Sequence, residues 1–206
     1  MVQTLARFVW GGTRLLPGPV EFDDPRLENV AMHLEFRRGG RGGLPLDELR
    51  LLIPSWGEVQ VDLDGSLHKD LVDLLMLGAV RVCIDAWAPD KEIELGHALS
   101  EQILLRALIP SDGSSVRLWT SDSLIPRLRE LMNTGPSSVL LVSRRRGDLD
   151  RVWRTLPDDL LQRFGWWLAP DEGKRVQLMK GESSVLGWVL DGARMLEERE
   201  IGRALV

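Results

Sequence analysis

The sequence predicts an α/β protein in which strands and helices alternate around a parallel sheet. Short apolar runs alternate with longer helical patterns from residue 59 onward, which is typical of βα units. In the clearest unit, a strand at 58–61 precedes a helix at 67–77, whose leucines share one face and which Gly78 ends. The eight strand candidates of the chain fit two architectures, a (β/α)8 barrel of the TIM type and an open doubly wound sheet.

The other elements follow the same alternation, apart from the first unit. Strands are predicted near Val9 and Trp10 and at 30–36, 80–84, 105–109, 139–142, 165–169 and 185–190, and helices at 46–53, 93–104, 123–131, 149–164 and 193–205. Residues 23–29 connect the first two strands and are too few for a crossover helix. We therefore predict that a barrel built from this chain lacks a regular first helix.

The composition is that of a globular chain with a single domain, residues 1–206. Of its 206 residues, 44% are hydrophobic and 28% are charged. No apolar run reaches about 18 residues and no signal-like segment begins the chain, so we expect a cytoplasmic protein that does not enter membranes. A net charge of −5 argues against nucleic acid as a partner. The basic segments 37–43 and 144–146 are short and are interpreted as solvated loops.

A more specific pattern surrounds the clearest unit. Three features keep the spacing of a unit in which a VQVGGGIRS strand leads to a helix and then to a DRVIIGT strand. They are the strand VQV at 59–61, the helix that Gly78 ends, and the pair Arg81-Val82. Weaker matches occur in order at 11–12, 23–25, 111–113, 119–120 and 187–193. Jointly these motifs resemble the histidine-biosynthesis barrel family, that is, the phosphoribosylformimino-imidazole-carboxamide ribotide isomerase and the imidazole glycerol phosphate synthase cyclase.

The resemblance implies a closed (β/α)8 barrel and an aldose–ketose (Amadori) isomerisation. In that family one aspartate on the first strand and one on the fifth act as general acid and base. In register with the neighbouring motifs, these positions fall on Phe8 and Ile109. Neither side chain can transfer a proton. No catalytic residue is therefore assigned, and we expect this divergent member to have lost the isomerase activity.

The family also binds the phosphates of its substrate, through glycine-rich turns after strands three, four, seven and eight. In this chain those turns carry carboxylates, which are the ligand-binding candidates: Asp62, Asp64, Asp85, Asp171 beside Glu172, and Asp191. A carboxylate about 4 Å from a phosphate oxygen repels it by about 4 kcal/mol at an effective dielectric near 20. The sequence therefore predicts an acidic pocket at the barrel mouth that refuses phosphorylated sugars.

The same face carries a candidate metal site made of His33, Glu35 and Asp62. Both His33 and Glu35 lie near the end of the second strand, and alternation points their side chains the same way. Carboxylates and an imidazole on neighbouring strands suit Mg²⁺ or Mn²⁺, whereas the competing interpretation is a solvated acidic rim without a ligand. Since no cofactor motif occurs, we predict no cofactor, with a divalent metal as the alternative.

Three functions stay open from the sequence. We predict a pseudoenzyme, an isomerase-like barrel that serves as a binding or interaction protein. The alternatives are an enzyme with a relocated carboxylate site at the barrel mouth, and an active phosphoribosyl isomerase whose first strand has a different register. A missing first helix would leave apolar barrel surface uncovered, so a second copy, another protein partner or the N-terminal segment is expected to pack there.

Overall fold

The fold is a closed barrel of parallel strands. The computed structural model describes residues 2–11, 14–16, 18, 20–36, 46–63, 68–109, 121–133, 135–171, 174–178 and 180–204. The barrel strands are β1 (Gln3–Trp10), β3 (Met32–Phe36), β4 (Val59–Leu63), β5 (Arg81–Asp85), β6 (Ile103–Leu108), β7 (Ser138–Val142), β8 (Gly165–Ala169) and β9 (Val185–Asp191). Because β1 pairs with both β3 and β9, the sheet closes on itself. Closure excludes the doubly wound sheet and confirms the TIM-type barrel.

Helices follow the strands around the outside of the barrel. They are α1 (Leu46–Leu52), α2 (His68–Met76), α3 (Asp90–Leu99), α4 (Ser121–Leu131), α5 (Asp148–Thr155), α6 (Asp158–Arg163) and α7 (Gly192–Ala204). Within the described ranges, none of these helices has the length and apolar character needed to cross a membrane.

Two helices are shorter than the sequence pattern predicts. The pattern at 93–104 ends as a helix at Leu99, and Ile103 and Leu104 belong to β6. Both faces of a barrel strand are buried, so a strand of this kind carries the same continuous apolar run as a buried helix. The pattern at 149–164 is divided into α5 and α6 at Pro157, which precedes α6 and has no backbone N–H for a continuous helix.

The first unit has no α-helix in its described residues, as predicted. A short strand, β2 (Leu15–Leu16), turns back antiparallel to β1, and a 3-10 turn at Pro25–Leu27 leads into β3. This connecting segment buries Leu15, Val20 and Leu27 against the barrel. The packing of a second copy or another protein partner on this face stays a prediction.

Two apolar cores lie on opposite sides of the strands. The inner core fills part of the lumen and includes Leu5, Leu104, Leu140, Trp167 and Val189. The larger outer core lies between the strands and the surrounding segments. Since successive residues of a strand point to opposite faces, β1 and β5 to β9 contribute to both cores, whereas β3 and β4 contribute only to the outer one.

Candidate functional site

The lumen of the barrel has an apolar half and a polar half. On β7, β8 and β9 the lumen is apolar, with Leu140, Trp167 and Val189. On β1 and β3 to β6 the alternating lumen positions are mostly polar or charged: Arg7, His33, Glu35, Gln60, Asp62, Arg81, Asp85 and Arg106. Barrels of this type bind their ligands at the C-terminal ends of the strands. The C-terminal part of the polar half is therefore the candidate site.

An ion pair joins β1 to β3 in this half. The Nη2 atom of Arg7 donates to both carboxylate oxygens of Glu35, at 2.9 and 3.1 Å. Burial alone would raise the pKa of the Glu35 carboxyl, but the charge and the hydrogen bonds of Arg7 bring it below its ordinary value. Glu35 is therefore an anion at neutral pH and has no proton to donate.

A second group of charges crosses from β4 to β6. Arg106 Nε lies 2.7 Å from Asp62 Oδ2, and the exposed fractions of these two side chains are 1% and 0%. Arg106 Nη1 also donates to Asp85 Oδ2 at 3.3 Å, and Asp85, which is 24% exposed, accepts a hydrogen bond from the backbone N–H of Trp87. One buried guanidinium thus binds two of the carboxylates that the sequence assigned to the mouth.

Below these pairs, a buried histidine takes part in a chain of hydrogen bonds. Arg81 Nε donates to Gln60 Oε1 at 3.1 Å, so the amide nitrogen of Gln60 is the donor to His33 Nδ1 at 3.0 Å. This arrangement leaves the proton of a neutral imidazole on Nε2, which lies 3.9 Å from Asp62 Oδ2. Burial lowers the pKa of His33 to about 3. The ring is therefore neutral at physiological pH.

The two positions assigned to the family acid and base do not face the lumen. Phe8 and Ile109 are fully buried in the outer core, so the assigned register points the wrong way. A Cβ atom at Gly192, where α7 begins, would lie 2.5 Å from Phe8 Cζ, which places the ring under that helix. On the same strands the lumen positions include Arg7 and Arg106.

The predicted metal site is not formed. Guanidinium groups bind the carboxylates of Glu35 and Asp62, and His33 Nδ1 accepts its hydrogen bond from Gln60. Among the described residues, no group of three or more His, Cys, Asp or Glu side chains has a geometry that could hold a metal ion. The physical reason is that the carboxylates of Glu35 and Asp62 each bind an arginine side chain rather than share a metal ion with a second ligand.

The remaining acidic turn positions are dispersed over the mouth. The exposed Asp171 follows β8 and lines a cavity that also contains arginines. The Asp191 carboxylate ends β9 and accepts a hydrogen bond from the backbone N–H of Arg194 at 2.9 Å. Asp64 and Glu172 lie outside the described residues, as do the segments 37–43 and 111–113. The described part of the mouth therefore carries mixed charge, and a purely acidic pocket stays a prediction.

That cavity has a volume of about 480 Å³ and opens between the loops that follow β7 and β8. Its charged lining consists of Arg145, Arg146, Arg154, Asp150 and Asp171. The arginines at 144–146 were expected in a solvated loop, and Arg145 and Arg146 are exposed there, but these two also line a concave surface at the ligand-binding end of the barrel.

Sequence reasoning also missed the arginines inside the lumen. Arg106 stands in the middle of the apolar run at 103–109. A charged residue inside a buried strand requires a partner, because an arginine is almost never fully buried alone. That rule indicated a buried ion pair for Arg106. Its partner, Asp62, lies two strands away in the sheet and is visible only in the structure.

Comparisons agree with the architecture. The closed sheet and the loops at its C-terminal end define a (β/α)8 barrel. Among solved structures 122 chains resemble this one, and one is the N-(5'-phosphoribosyl)anthranilate isomerase of Pyrococcus furiosus, with a TM-score of 0.53, 13% sequence identity and 96% of each chain covered. No family model and no curated protein matches the sequence. At this identity the likeness shows the fold alone, a (β/α)8 barrel.

Proposed function

We propose that this protein is a divergent isomerase-like barrel that has lost aldose–ketose isomerisation and acts as a binding protein. The observation that supports this proposal is the pairing of the lumen carboxylates with arginines. Glu35 is bound by Arg7, and Asp62 and Asp85 share Arg106. This proposal retains the histidine-biosynthesis relationship that the sequence motifs imply.

Isomerisation of an aldose to a ketose requires one group that gives a proton and one that removes a proton, each with a pKa near the working pH. Glu35 is anionic, since its pKa is below the ordinary value, and the neutral imidazole of His33 is a weak base because its pKa is about 3. Arginine does not titrate in proteins. Neither Glu35 nor His33 therefore supplies the acid of the reaction, and both oxygens of Glu35, the stronger base of the two, accept hydrogen bonds from Arg7.

A direct assay tests this proposal. The purified chain should not convert phosphoribosylformimino-imidazole-carboxamide ribotide or phosphoribosylanthranilate faster than buffer does. It should also fail to restore growth without histidine in a strain that lacks the histidine isomerase. Turnover of either compound, or growth of that strain, would overturn the loss of activity.

The alternative enzyme has its acid–base group at Asp85. Of the three carboxylates in the ion pairs it has the largest exposed fraction, 24%, against 2% for Glu35 and 0% for Asp62. If turnover is found and Asp85→Asn abolishes it while Asp171→Asn does not, the relocated-carboxylate enzyme replaces the pseudoenzyme. If neither substitution changes the turnover, the catalytic group lies elsewhere in the chain.

A further inference from the structure

We propose that the exposed side of α3, together with the end of α2, is a contact surface for a second copy of this chain, with the two α3 helices antiparallel across a two-fold axis. This inference concerns assembly and goes beyond the proposed function, so it can fail while the absence of turnover stands. It also places the second copy on a different face from the first unit, where the sequence analysis expected a partner.

An exposed stripe runs along α3. Four exposed residues share one side of this helix by their spacing: Lys91, Leu95, Ala98 and Leu99. The buried side is marked by Gly96, where a Cβ atom would lie 2.5 Å from Ile84 Cδ1 of β5. The stripe therefore lies outside the contact between the helix and the barrel, and its middle is apolar.

The apolar surface continues onto α2, which packs beside α3. Met76 in the last turn of α2 is 82% exposed, and Leu95 and Leu99 are 48% and 47% exposed. Both helices run in the same direction along the barrel, so Met76 and Leu99 lie toward the same end. A single exposed apolar side chain is normal, whereas three large ones on two adjacent helices are typical of an interaction surface.

Charge complementarity indicates a second copy as the occupant. Lys91 lies in the first turn of α3, and Glu101 follows the last residue of the helix by two positions. Both side chains are exposed, and in the described part of the chain no ion pair involves either of them. An antiparallel arrangement places Lys91 of one copy near Glu101 of the other. A two-fold interface forms this contact twice, with the leucines between the two pairs.

The same charges oppose a parallel arrangement. There each residue would face its own equivalent, so that Glu92, Glu94 and Glu101 would all meet like charges. Each copy also carries a net charge of −5, which opposes association at long range. Two helices from each copy make a small interface, so we expect a reversible dimer at micromolar concentration.

Sedimentation equilibrium of the full chain in low salt tests the contact. The parent chain should dimerise. Leu95→Glu combined with Leu99→Glu should weaken the dimer by about a hundredfold or more, because each apolar contact is lost twice and carboxylates are added. The matched control is Leu16→Glu, an equally exposed leucine on β2 in the first unit, which should leave the dimer unchanged. A parent chain that is monomeric would overturn the proposal, and so would a dimer that only Leu16→Glu dissociates.

A charge exchange tests the antiparallel arrangement. Lys91→Glu alone and Glu101→Lys alone should each weaken the dimer by about tenfold, and the combination should return the affinity to within about threefold of the parent. These differences should shrink in high salt, which screens exposed charges. If the single changes have no effect, or if the combined change does not restore the affinity, the two α3 helices are not antiparallel and the proposal fails.

All of these variants change exposed residues, so their melting temperatures at dilution should match that of the parent within a few degrees. The surface could also receive a helix of another protein, and a short amphipathic leucine–lysine peptide is the probe for that case. If the parent chain stays monomeric and binds this peptide, and Leu95→Glu with Leu99→Glu prevents the binding, the second-copy assignment is wrong.

Discussion

Replacing Arg106 by methionine should lower the free energy of unfolding by about 3–5 kcal/mol, the usual cost of removing one partner of a buried ion pair. The substitution leaves the carboxylate of Asp62 without the guanidinium that lies 2.7 Å away, in a position with an exposed fraction of 0%. Opposite unit charges about 4 Å apart attract by about 4 kcal/mol at an effective dielectric near 20, which agrees with that range. Asp85 loses the same partner, but it is 24% exposed and water compensates much of the loss.

Urea unfolding followed by circular dichroism at pH 7.5 measures this effect. The matched control is Arg194→Met, which breaks a pair with exposed fractions of 56% and 61% and should cost less than about 0.5 kcal/mol. Asp62→Leu combined with Arg106→Met should cost clearly less than the sum of the two single changes, because no buried charge remains. Arg106→Lys keeps the charge and should fall between. If Arg106→Met costs no more than Arg194→Met, the buried pair does not constrain the lumen as we argue.

Three other predictions test separate parts of the barrel. His33 has a pKa of about 3 when folded and 6.5 ordinarily, so the unfolded chain binds a proton that the folded chain excludes. Stability should fall as the pH falls from 6.5 toward 5, by at most about 1.4 kcal/mol per pH unit, and His33→Asn should flatten this dependence in urea titrations; an unchanged slope would contradict the assignment. Gly187→Ala would place a Cβ 2.2 Å from the ring of Trp167. It should lower the free energy of unfolding by about 1–3 kcal/mol, and Trp167→Leu in the same chain should restore part of that loss. Full stability of the Gly187→Ala variant alone would refute the contact. Arg127 donates to the carbonyl of Ala86 at 3.0 Å. Replacement of Arg127 by lysine should lower the melting temperature by a few degrees, because the planar guanidinium fork is lost. An unchanged melting temperature by calorimetry would show that this contact contributes little to stability.

How much of the barrel could be predicted varies from element to element. The alternation of apolar runs and helical patterns predicted β4, α2 and β5 within about two residues, because each carries a clear period and a terminating glycine or polar residue. The boundary between α3 and β6 was placed too late, since Ile103 and Leu104 fit a helix face and a buried strand equally well. Pro157 was present in the sequence as a helix breaker, and its effect was underestimated.

The candidate site was predicted less well than the fold, for one geometric reason. In a strand buried on both faces, no hydrophobic period shows which residues face the lumen, so Phe8 was assigned to the mouth although it lies under α7. A shift of one residue reverses every side chain of a strand. Identifying Asp62 and Asp85 as residues at the ends of strands was sound, but their charge partner was unknown.

By itself, the sequence determined the number and order of the barrel strands. It also predicted the missing first helix, although the connection between β1 and β3, residues 11–31, is longer than the segment 23–29, and in its described part β2 and a 3-10 turn stand in place of that helix. These features depend on local pattern and on chain length. Only the tertiary structure decided that Arg106 neutralises Asp62 and that Arg145 lines a cavity with Asp171. Charges interact through distances in space, and closure of the sheet brings together residues from strands and loops that are far apart in the chain.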